Sequence, residues 1–534
     1  MNTRKLRHNE ASRKPETQRR SSSDTKSDEC DASNLIPESR EKHDCFEAAP
    51  DEHNRFNPKP ENRISDASYD TADSGETTAE AKLMSSLLDE PILPALMKFS
   101  IPVLLTLMLQ ALYGAVDLWA VGTFAAEADV SAVSTGSQTM QIITGVVTGL
   151  SMGTTVLLGQ RIGEGNREGA AAVTGTSILV FAALGVILSI LMVPAAPRIA
   201  VLMNAPDEAL AQTTQYIRIC GAGSIFISGY NLISALFRGL GNSRAPLVFV
   251  SIACVVNIFG DIILIYGFKL GTTGAAIATI GAQAVSVVMS ILLIRRKGLP
   301  FTFKKKHLYP QRAAAAGVLK IGSPVAFQEM CNEISYLIII GFVNTLGVTA
   351  SAGVGIAEKL VIFILLIPMA YMQSISAFTA QNTGAGKYKR ARRAVWVGMG
   401  TAALLGFIVA GISFVFGDAL SRLFIDNRDV IAASAEFLKA TSMECFILSI
   451  AYCFTGYFNG LGRTTFVMLQ GICAIFLVKI PYSWYASVQP SPSLFQIGLS
   501  TVFAALFTLV ICLGYYCFTR RRIAEPQDLS ETQN

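Results

Sequence analysis

Residues 237–241 read Phe237-Arg238-Gly239-Leu240-Gly241, and 221 positions downstream the chain reads Phe458-Asn459-Gly460-Leu461-Gly462. A second pair keeps the same offset: Gly159-Gln160-Arg161-Ile162-Gly163-Glu164-Gly165 returns as Ala380-Gln381-Asn382-Thr383-Gly384-Ala385-Gly386. Pro102 and Pro324 lie 222 apart. Three nearly equal offsets are hard to obtain by chance, so the sequence is read as two halves of one plan. What surrounds these motifs decides the architecture. From residue 94 onward there are twelve apolar stretches, at roughly 97–121, 131–157, 170–193, 209–236, 245–267, 272–294, 317–343, 352–379, 392–416, 431–458, 464–485 and 494–518. Each is long enough to cross a hydrocarbon core of about 30 Å as a helix, which needs about 20 residues. Alternation of period two, the mark of a barrel strand, is absent. The expected fold is therefore an all-α polytopic membrane protein, with twelve transmembrane helices in two six-helix lobes.

Six is an even number, so both halves enter the membrane from the same side. They form a parallel repeat about an axis along the membrane normal, an arrangement used for alternating access in secondary transporters. The expected boundaries are an N-lobe at 91–294, a basic linker at 295–316, a C-lobe at 317–518, and tails at 1–90 and 519–534.

Composition agrees. Of 534 residues, 51% are hydrophobic and 16% charged, against about a quarter charged in soluble domains. Charge is concentrated at the start: residues 1–90 hold 14 Lys/Arg and 20 Asp/Glu, leaving 30 and 19 for the other 444 residues. A tail so polar, with few aromatics, cannot bury enough apolar surface to order itself, so it is expected to be disordered. It lacks an apolar core of the signal-peptide kind, and its many acids argue against an organellar transit peptide.

The loops orient the helices. Arg161, Arg167, Arg238, Arg244, the cluster Arg295, Arg296, Lys297, Lys304, Lys305, Lys306 and Arg312, the run Lys387 to Arg393, Arg463 and Arg520 to Arg522 all follow even-numbered segments. The opposite loops offer Arg198, Lys269, Arg422 and Arg428. By the positive-inside rule both termini are expected in the cytoplasm and the chain in the cell membrane.

Several chemistries drop out. None of the ten cysteines forms a CxxC pair, so zinc and dithiol chemistry have no support, and the cysteines of the apolar segments read as small hydrophobes. All four histidines (His8, His43, His53, His307) lie in the tail or the basic linker, which removes an intramembrane histidine relay. There is no phosphate-binding GxxxxGK[ST] loop, so ATP is not expected to drive the protein. No enzymatic activity, cofactor or nucleic acid is implied, and the expected unit is a monomer.

Buried acids carry the functional signal, because an ionised carboxylate inside hydrocarbon costs several kcal/mol on most scales. The first half has two at depth, Asp117 and Asp261. Asn257 precedes Asp261 by four residues and shares its helix face, while Asn231 and Thr279 add neutral oxygens. Such a set suits a hard monovalent cation or a proton. The second half has Glu329 and Glu333, again four apart, as a proton carrier or a counter-charge for a cationic substrate. Tyr113, Met140, Gln141, Phe363, Met369, Tyr371 and Met372 are candidates for lining a central cleft, since Met and aromatic faces adapt to many ligands.

Residues 94–518 resemble the multidrug and toxic compound extrusion (MATE) transporters. The resemblance rests on Pro102 with Gln110 and Asp117-Leu118-Trp119-Ala120-Val121-Gly122, on GQRIGEGN at 159–166, on FRGLGNSRAP at 237–246, on NIFGDIILIYGFKLGTTGAAIAT at 257–279 and on AQNTGAGKYKRARRA at 380–394. A short Gly/Arg loop after the second helix also marks major facilitator transporters, but the tandem copy at 380–390 favours the MATE pattern. The resemblance implies an exporter of organic, often cationic, small molecules, driven by exchange for Na⁺ or H⁺. It further implies a DNA-damage-inducible-like branch, whose cation site falls here on Asp117, Asn231, Asn257, Asp261 and Thr279. Another branch pairs the seventh-helix carboxylate with an Asp in the tenth helix; this chain has Glu444 there instead, which leaves a second cation site open. Two rival readings stand beside this one. A lipid-linked-sugar flippase would want a strongly cationic cleft, whereas Lys439 and Lys479 are exceptions in segments poor in Lys and Arg. A non-transporting scaffold would use the long tail as its working part.

Overall fold

The structure, a computed structural model, describes residues 87–520. Among the described residues, twelve long helical segments follow one another: α1 (Ile92–Phe124), α2 (Glu127–Gly163), α3 (Arg167–Leu202), α4 (Asp207–Ala222 and Ser224–Gly239), α5 (Arg244–Gly267), α6 (Gly271–Lys297), α7 (Arg312–Asn344), α8 (Val348–Gly384), α9 (Tyr388–Ser421), α10 (Arg428–Gly460), α11 (Thr464–Ser487) and α12 (Leu494–Arg520). No strand occurs among the described residues. Ten of these helices are long and apolar enough to cross a membrane unaided, and the two pieces of α4 meet the test together although bent by 51° at Gly223. The remaining one, α7, has 33 residues but carries Lys320, Glu329 and Glu333, so its polarity rather than its length sets it apart. The helices run a few residues beyond the apolar stretches at most ends, because backbone hydrogen bonding continues into the interfacial layer after the hydrocarbon requirement is met.

The ends are set by local chemistry. The Asn166 side chain accepts from the Gly169 amide (2.7 Å) to start α3, and Asn427 accepts from the amides of Asp429 and Val430 to start α10; both are ordinary N-caps. Gly165, Gly241, Gly386 and Gly462 have positive φ. They form two pairs at the repeat offset, so the turn that closes each motif needs glycine in both lobes. Two π-helical turns interrupt corresponding helices, at Ile262–Gly267 in α5 and at Ala474–Lys479 in α11. Such turns are often found at functional sites.

Each lobe has its own core. Val133, Met192, Tyr216 and Ile217 meet between α2, α3 and α4; Ile339, Leu438 and Ile497 meet between α7, α10 and α12. Ile190 and Phe407 stand about two-thirds exposed, among many large apolar residues on the outer surface, as expected where lipid supplies the missing neighbours.

The lobes join on the face where α1 begins and α12 ends. There Leu150, Val156 and Leu157 of α2 pack against Val318, Ile321 and Val325 of α7. Close approach depends on missing side chains: a Cβ on Gly149 would meet the Ala326 backbone at 2.7 Å. The repeated motifs meet across the pseudo-two-fold axis. The Gln160 amide donates to the Gly460 carbonyl (3.2 Å), and the Gln381 amide donates to the Gly239 carbonyl (2.9 Å). The glutamine of each lobe therefore bonds the Gly-Leu-Gly motif of the other.

Two expected boundaries move. The linker is shorter than 295–316, because α6 runs through Lys297 and α7 starts at Arg312. Of the 1–90 tail, residues 1–86 lie outside the described residues, but residues 87–90 are packed, with Leu87 only 1% exposed. The disorder expected from tail composition therefore does not extend through residue 90: Leu87 brings an apolar side chain to a waiting surface, which the charge average hides. In the C-terminal tail, residues 521–534 lie outside the described residues.

Candidate functional site

Three helices of the N-lobe deliver an acidic pocket: Asp117 on α1, Asn257 and Asp261 on α5, and Thr279 on α6. Asp117 is 4% exposed, Asn257 1% and Asp261 0%. The Asp117 carboxyl meets the Asp261 carboxyl and adjoins the Asn257 amide, and the Thr279 hydroxyl donates to its Oδ2 (3.0 Å). The four-residue spacing puts Asn257 and Asp261 on the face of α5 that looks at α1, and the π turn follows Asp261 directly.

The pocket is polar beyond its own needs. Asp117 Oδ1, both Asp261 oxygens and both polar atoms of the Asn257 amide are buried without a hydrogen-bond partner among the described residues. Buried polar atoms are ordinarily paired, and two carboxylates in contact away from water repel strongly unless a positive charge offsets them. Five unsatisfied polar atoms, four of them oxygens, around two acids fit a proton or a small cation held by oxygen ligands. With only two acids and one amide, the donor set does not match a transition-metal site, which draws on His and Cys.

Asn231 is placed differently from the other four. Its Oδ1 accepts from Thr148 on α2 (2.9 Å) and its Nδ2 donates to the Ile227 carbonyl (2.9 Å). Its amide is thus engaged in bracing α4 against α2. Sequence spacing has no means of showing this, since Thr148 is 83 residues away.

Tyr113 lies one helical turn before Asp117 and reaches Gln283 on α6. Gln110, on the same helix, donates to the Tyr230 hydroxyl (3.1 Å). These neighbours extend the polar pocket along α1. Gln283 escapes sequence reasoning because a single amide in an apolar helix gives no signal until its partner is known.

In the C-lobe, Glu329 and Glu333 lie within electrostatic reach of one another. Glu333, Glu358 and Glu444 all face Lys479, which ends the π turn of α11. Glu358 lies beside Tyr336, and Glu444 beside Thr501. The internal lysine therefore balances part of this acidic group. Glu358 and Lys359, adjacent in sequence, form no ion pair with each other among the described residues.

Two candidates for lining a central cleft, Met140 and Tyr371, are buried. Met140 is buried in the N-lobe core beside Val133 and Tyr216. Tyr371 is 2% exposed, packed in the C-lobe core with its hydroxyl on the Met97 sulfur (3.3 Å). Both are amphipathic enough for a cleft, but their helix faces point at neighbouring helices. Gln141, Phe363 and Met369 present exposed surface, and Met372 is half-buried.

The architecture has relatives. The MatE family model matches residues 102–263 and again residues 324–485, one copy in each lobe. The probable multidrug resistance protein YoeA of Bacillus subtilis is 24% identical over 431 residues, spanning 79% of this chain and 93% of the relative. The multidrug export protein MepA of Staphylococcus aureus is 25% identical over 392 residues, spanning 72% and 86%. Among solved structures, a MOP superfamily transporter from Pyrococcus furiosus superposes with a TM-score of 0.76 at 20% identity, covering 83% of this chain and 98% of that one. An outward-facing multidrug resistance MATE transporter gives a TM-score of 0.75, covering 82% and 97%. A family match that covers both lobes, on a twofold-repeated helical frame, leaves one assignment: this multi-pass membrane protein belongs to the MATE family of transporters.

Proposed function

We propose that the protein exports organic small molecules, cations among them, in exchange for Na⁺ or H⁺, and that Asp117 and Asp261 hold the coupling ion. The unsatisfied oxygens around these two acids carry the reading. An ion there bridges α1, α5 and α6. Its departure leaves two facing carboxylates whose repulsion favours moving α1 away from α5. Substrate entering from the other side then meets a transporter in the opposite facing, and coupling follows because the two ligands prefer different conformations.

Further parts of the reading rest on the same footing. The site composition matches the DNA-damage-inducible-like branch at Asp117, Asn257, Asp261 and Thr279, with Asn231 contributing through packing. Glu329 and Glu333 serve as counter-charge for a cationic substrate on the C-lobe side. The loop charges support a cytoplasmic location for the face carrying the termini, and a place in the cell membrane. The protein acts as a monomer and uses no cofactor.

The test is efflux of a fluorescent organic cation from proteoliposomes under an imposed Na⁺ gradient or an imposed pH gradient, applied singly. One gradient should accelerate flux in the parent chain, and Asp117→Asn or Asp261→Asn should abolish that acceleration while the protein still inserts. Near-normal gradient-driven flux in both variants would overturn the assignment of the site. Indifference of the parent chain to both gradients would overturn the exchange mechanism.

A further inference from the structure

The segment before α1 docks on the C-lobe and the linker before α7 docks on the N-lobe, the first through buried Leu87 and the second through buried His307. Residues 87–90 precede the first N-lobe helix, yet their polar contacts fall on the C-lobe. The Leu87 carbonyl accepts from Asn382 (3.1 Å) and Arg390 (3.2 Å). Lys387 donates to the Leu88 carbonyl (3.1 Å) and to Asp89 Oδ1 (3.0 Å), and Arg390 also donates to the Glu90 carbonyl. The Leu87 side chain is buried with Phe378 and Ala394 of the C-lobe. It also closes on the N-lobe, where a Cβ added to Gly241 would stand 3.3 Å from it. Gly241 neighbours Gly239, the acceptor of the Gln381 bond.

The linker mirrors this with charges reversed. Lys306 pairs with Glu168 at the start of α3 (2.7 Å), and His307 Nε2 donates to the same carboxylate (3.2 Å), because Nδ1 accepts from the Lys304 amide. His307 is 1% exposed although Glu168 is largely open to solvent. The Gln311 amide donates to Thr176 of α3 (3.4 Å). Adding the repeat offset of 221 to Leu87 gives Leu308, so the two docking segments are counterparts in the duplicated plan. One is acidic and sits on the basic start of α9. The other is basic and sits on Glu168 at the start of α3.

We propose that residues 87–90 and 304–311 are a pair of crossed straps that lock the cytoplasmic gate shut, each tying the first helix of one lobe to the third helix of the other. The proposal rests on the alternating-access reading, in which the cytoplasmic ends of the lobes must part. Separating those ends breaks the strap contacts together with the glutamine–glycine bonds beneath them. Straps held at the surface by ion pairs and carbonyl acceptors can release without unfolding either lobe. Their strength then sets how much of the time the gate is open.

The reporter is Ser376→Cys in the full chain. Ser376 is fully buried between the lobes with its hydroxyl on the Met152 sulfur (3.3 Å), and the replacement is nearly isosteric. The rate at which a soluble maleimide modifies the peptide carrying this position, followed by mass spectrometry, reads gate opening without requiring transport. Leu87→Glu, Arg390→Ala and Glu168→Gln, each added to the reporter, should speed modification about five- to tenfold, the effect of losing one strap anchor. Glu168→Gln changes a solvent-exposed side chain, so it keeps the test alive if the buried Leu87→Glu does not insert. Unchanged modification rates in Arg390→Ala and Glu168→Gln would overturn the strap proposal. Loss of gradient-driven flux in the Asp117 and Asp261 variants is read separately, so failure of the ion site and failure of the straps are distinguishable.

Discussion

The interface between the lobes contains two positions at which one methyl group tests the whole closure. Gly163 ends α2 and Gly384 ends α8, and they are counterparts at the repeat offset. A Cβ on Gly163 would stand 2.8 Å from the Ala385 nitrogen and 2.9 Å from the Gln381 carbonyl carbon, with the carbonyl oxygen nearer still. A Cβ on Gly384 would stand 2.8 Å from the Gln160 carbonyl carbon, again with its oxygen nearer. Carbon needs roughly 3.5 Å to such atoms, so the opposing backbones must separate by about 1–1.5 Å. Neither obstacle is a flexible side chain that can turn aside. Within either helix alone the change to alanine is favourable, by up to about 1 kcal/mol. The penalty is therefore specific to the closed gate, and overpacking of this kind costs about 1–3 kcal/mol. If the open gate bears none of it, the equilibrium shifts by about 5- to 150-fold toward opening. Gly163→Ala and Gly384→Ala should then each raise amide exchange over 158–165 and 379–386 by a factor in that range. Gly400→Ala, where nothing lies within 4 Å of the new atom, should leave exchange unchanged. Equal exchange in all three variants would refute the argument that these glycines set the closure.

Thr279→Val removes a 3.0 Å bond to Asp117 but no charge, so the ion concentration for half-maximal flux should rise about three- to tenfold, with maximal flux retained. Flux titrated with the coupling ion checks this, and an unchanged midpoint would remove Thr279 from the site. Deleting residues 1–85 leaves the strap in place, so efflux should persist. Abolished efflux would instead support a tail-driven scaffold.

How much of this was legible in the sequence follows from the range of each interaction. The twelve helices were legible because a span is a local property, a run of about 20 apolar residues. The two lobes were legible because Gln160, Gly239 and Pro102 recur at nearly the same distance, 221, 221 and 222 residues. The meeting of Asp117 with Asp261 was inferable from cost, since two acids at depth need an offsetting partner. The break of α4 at Gly223 and the break of α8 at Leu365, between Val348–Ile364 and Leu366–Gly384, were not legible, since each falls inside a stretch that the hydropathy pattern reads as a single span. The bond between Gln160 and Gly460 spans 300 residues; the repeat shows that both motifs exist but not that each reads the other. Met140 and Tyr371, both buried, show a related limit. Residue type gives suitability for a cleft, whereas the facing of a helix is settled by all its neighbours together. Leu87 gives no signal in the sequence, because one apolar residue vanishes in the average of a polar tail.

Asn231 and Asn257 separate ligation from bracing. Both are buried asparagines in polar surroundings, and the resemblance to the DNA-damage-inducible-like branch treats them alike. Here the Asn257 amide adjoins Asp117 with no hydrogen bond of its own, whereas the Asn231 amide is satisfied on both sides by Thr148 and the Ile227 carbonyl. A group already satisfied contributes little to an incoming ion, since binding would have to break bonds it now makes. Asn257→Ala should therefore weaken the ion dependence of flux about tenfold or more with little loss of stability. Asn231→Ala should leave the ion midpoint within about threefold and instead loosen α4 against α2, lowering the melting temperature. Thr148→Val should reproduce the second pattern, because it breaks the same brace from the other end. A large shift of the ion midpoint in both Asn231→Ala and Thr148→Val would mean that the brace opens during transport and hands Asn231 to the ion. The division between holding the ion and holding the helices would then fail.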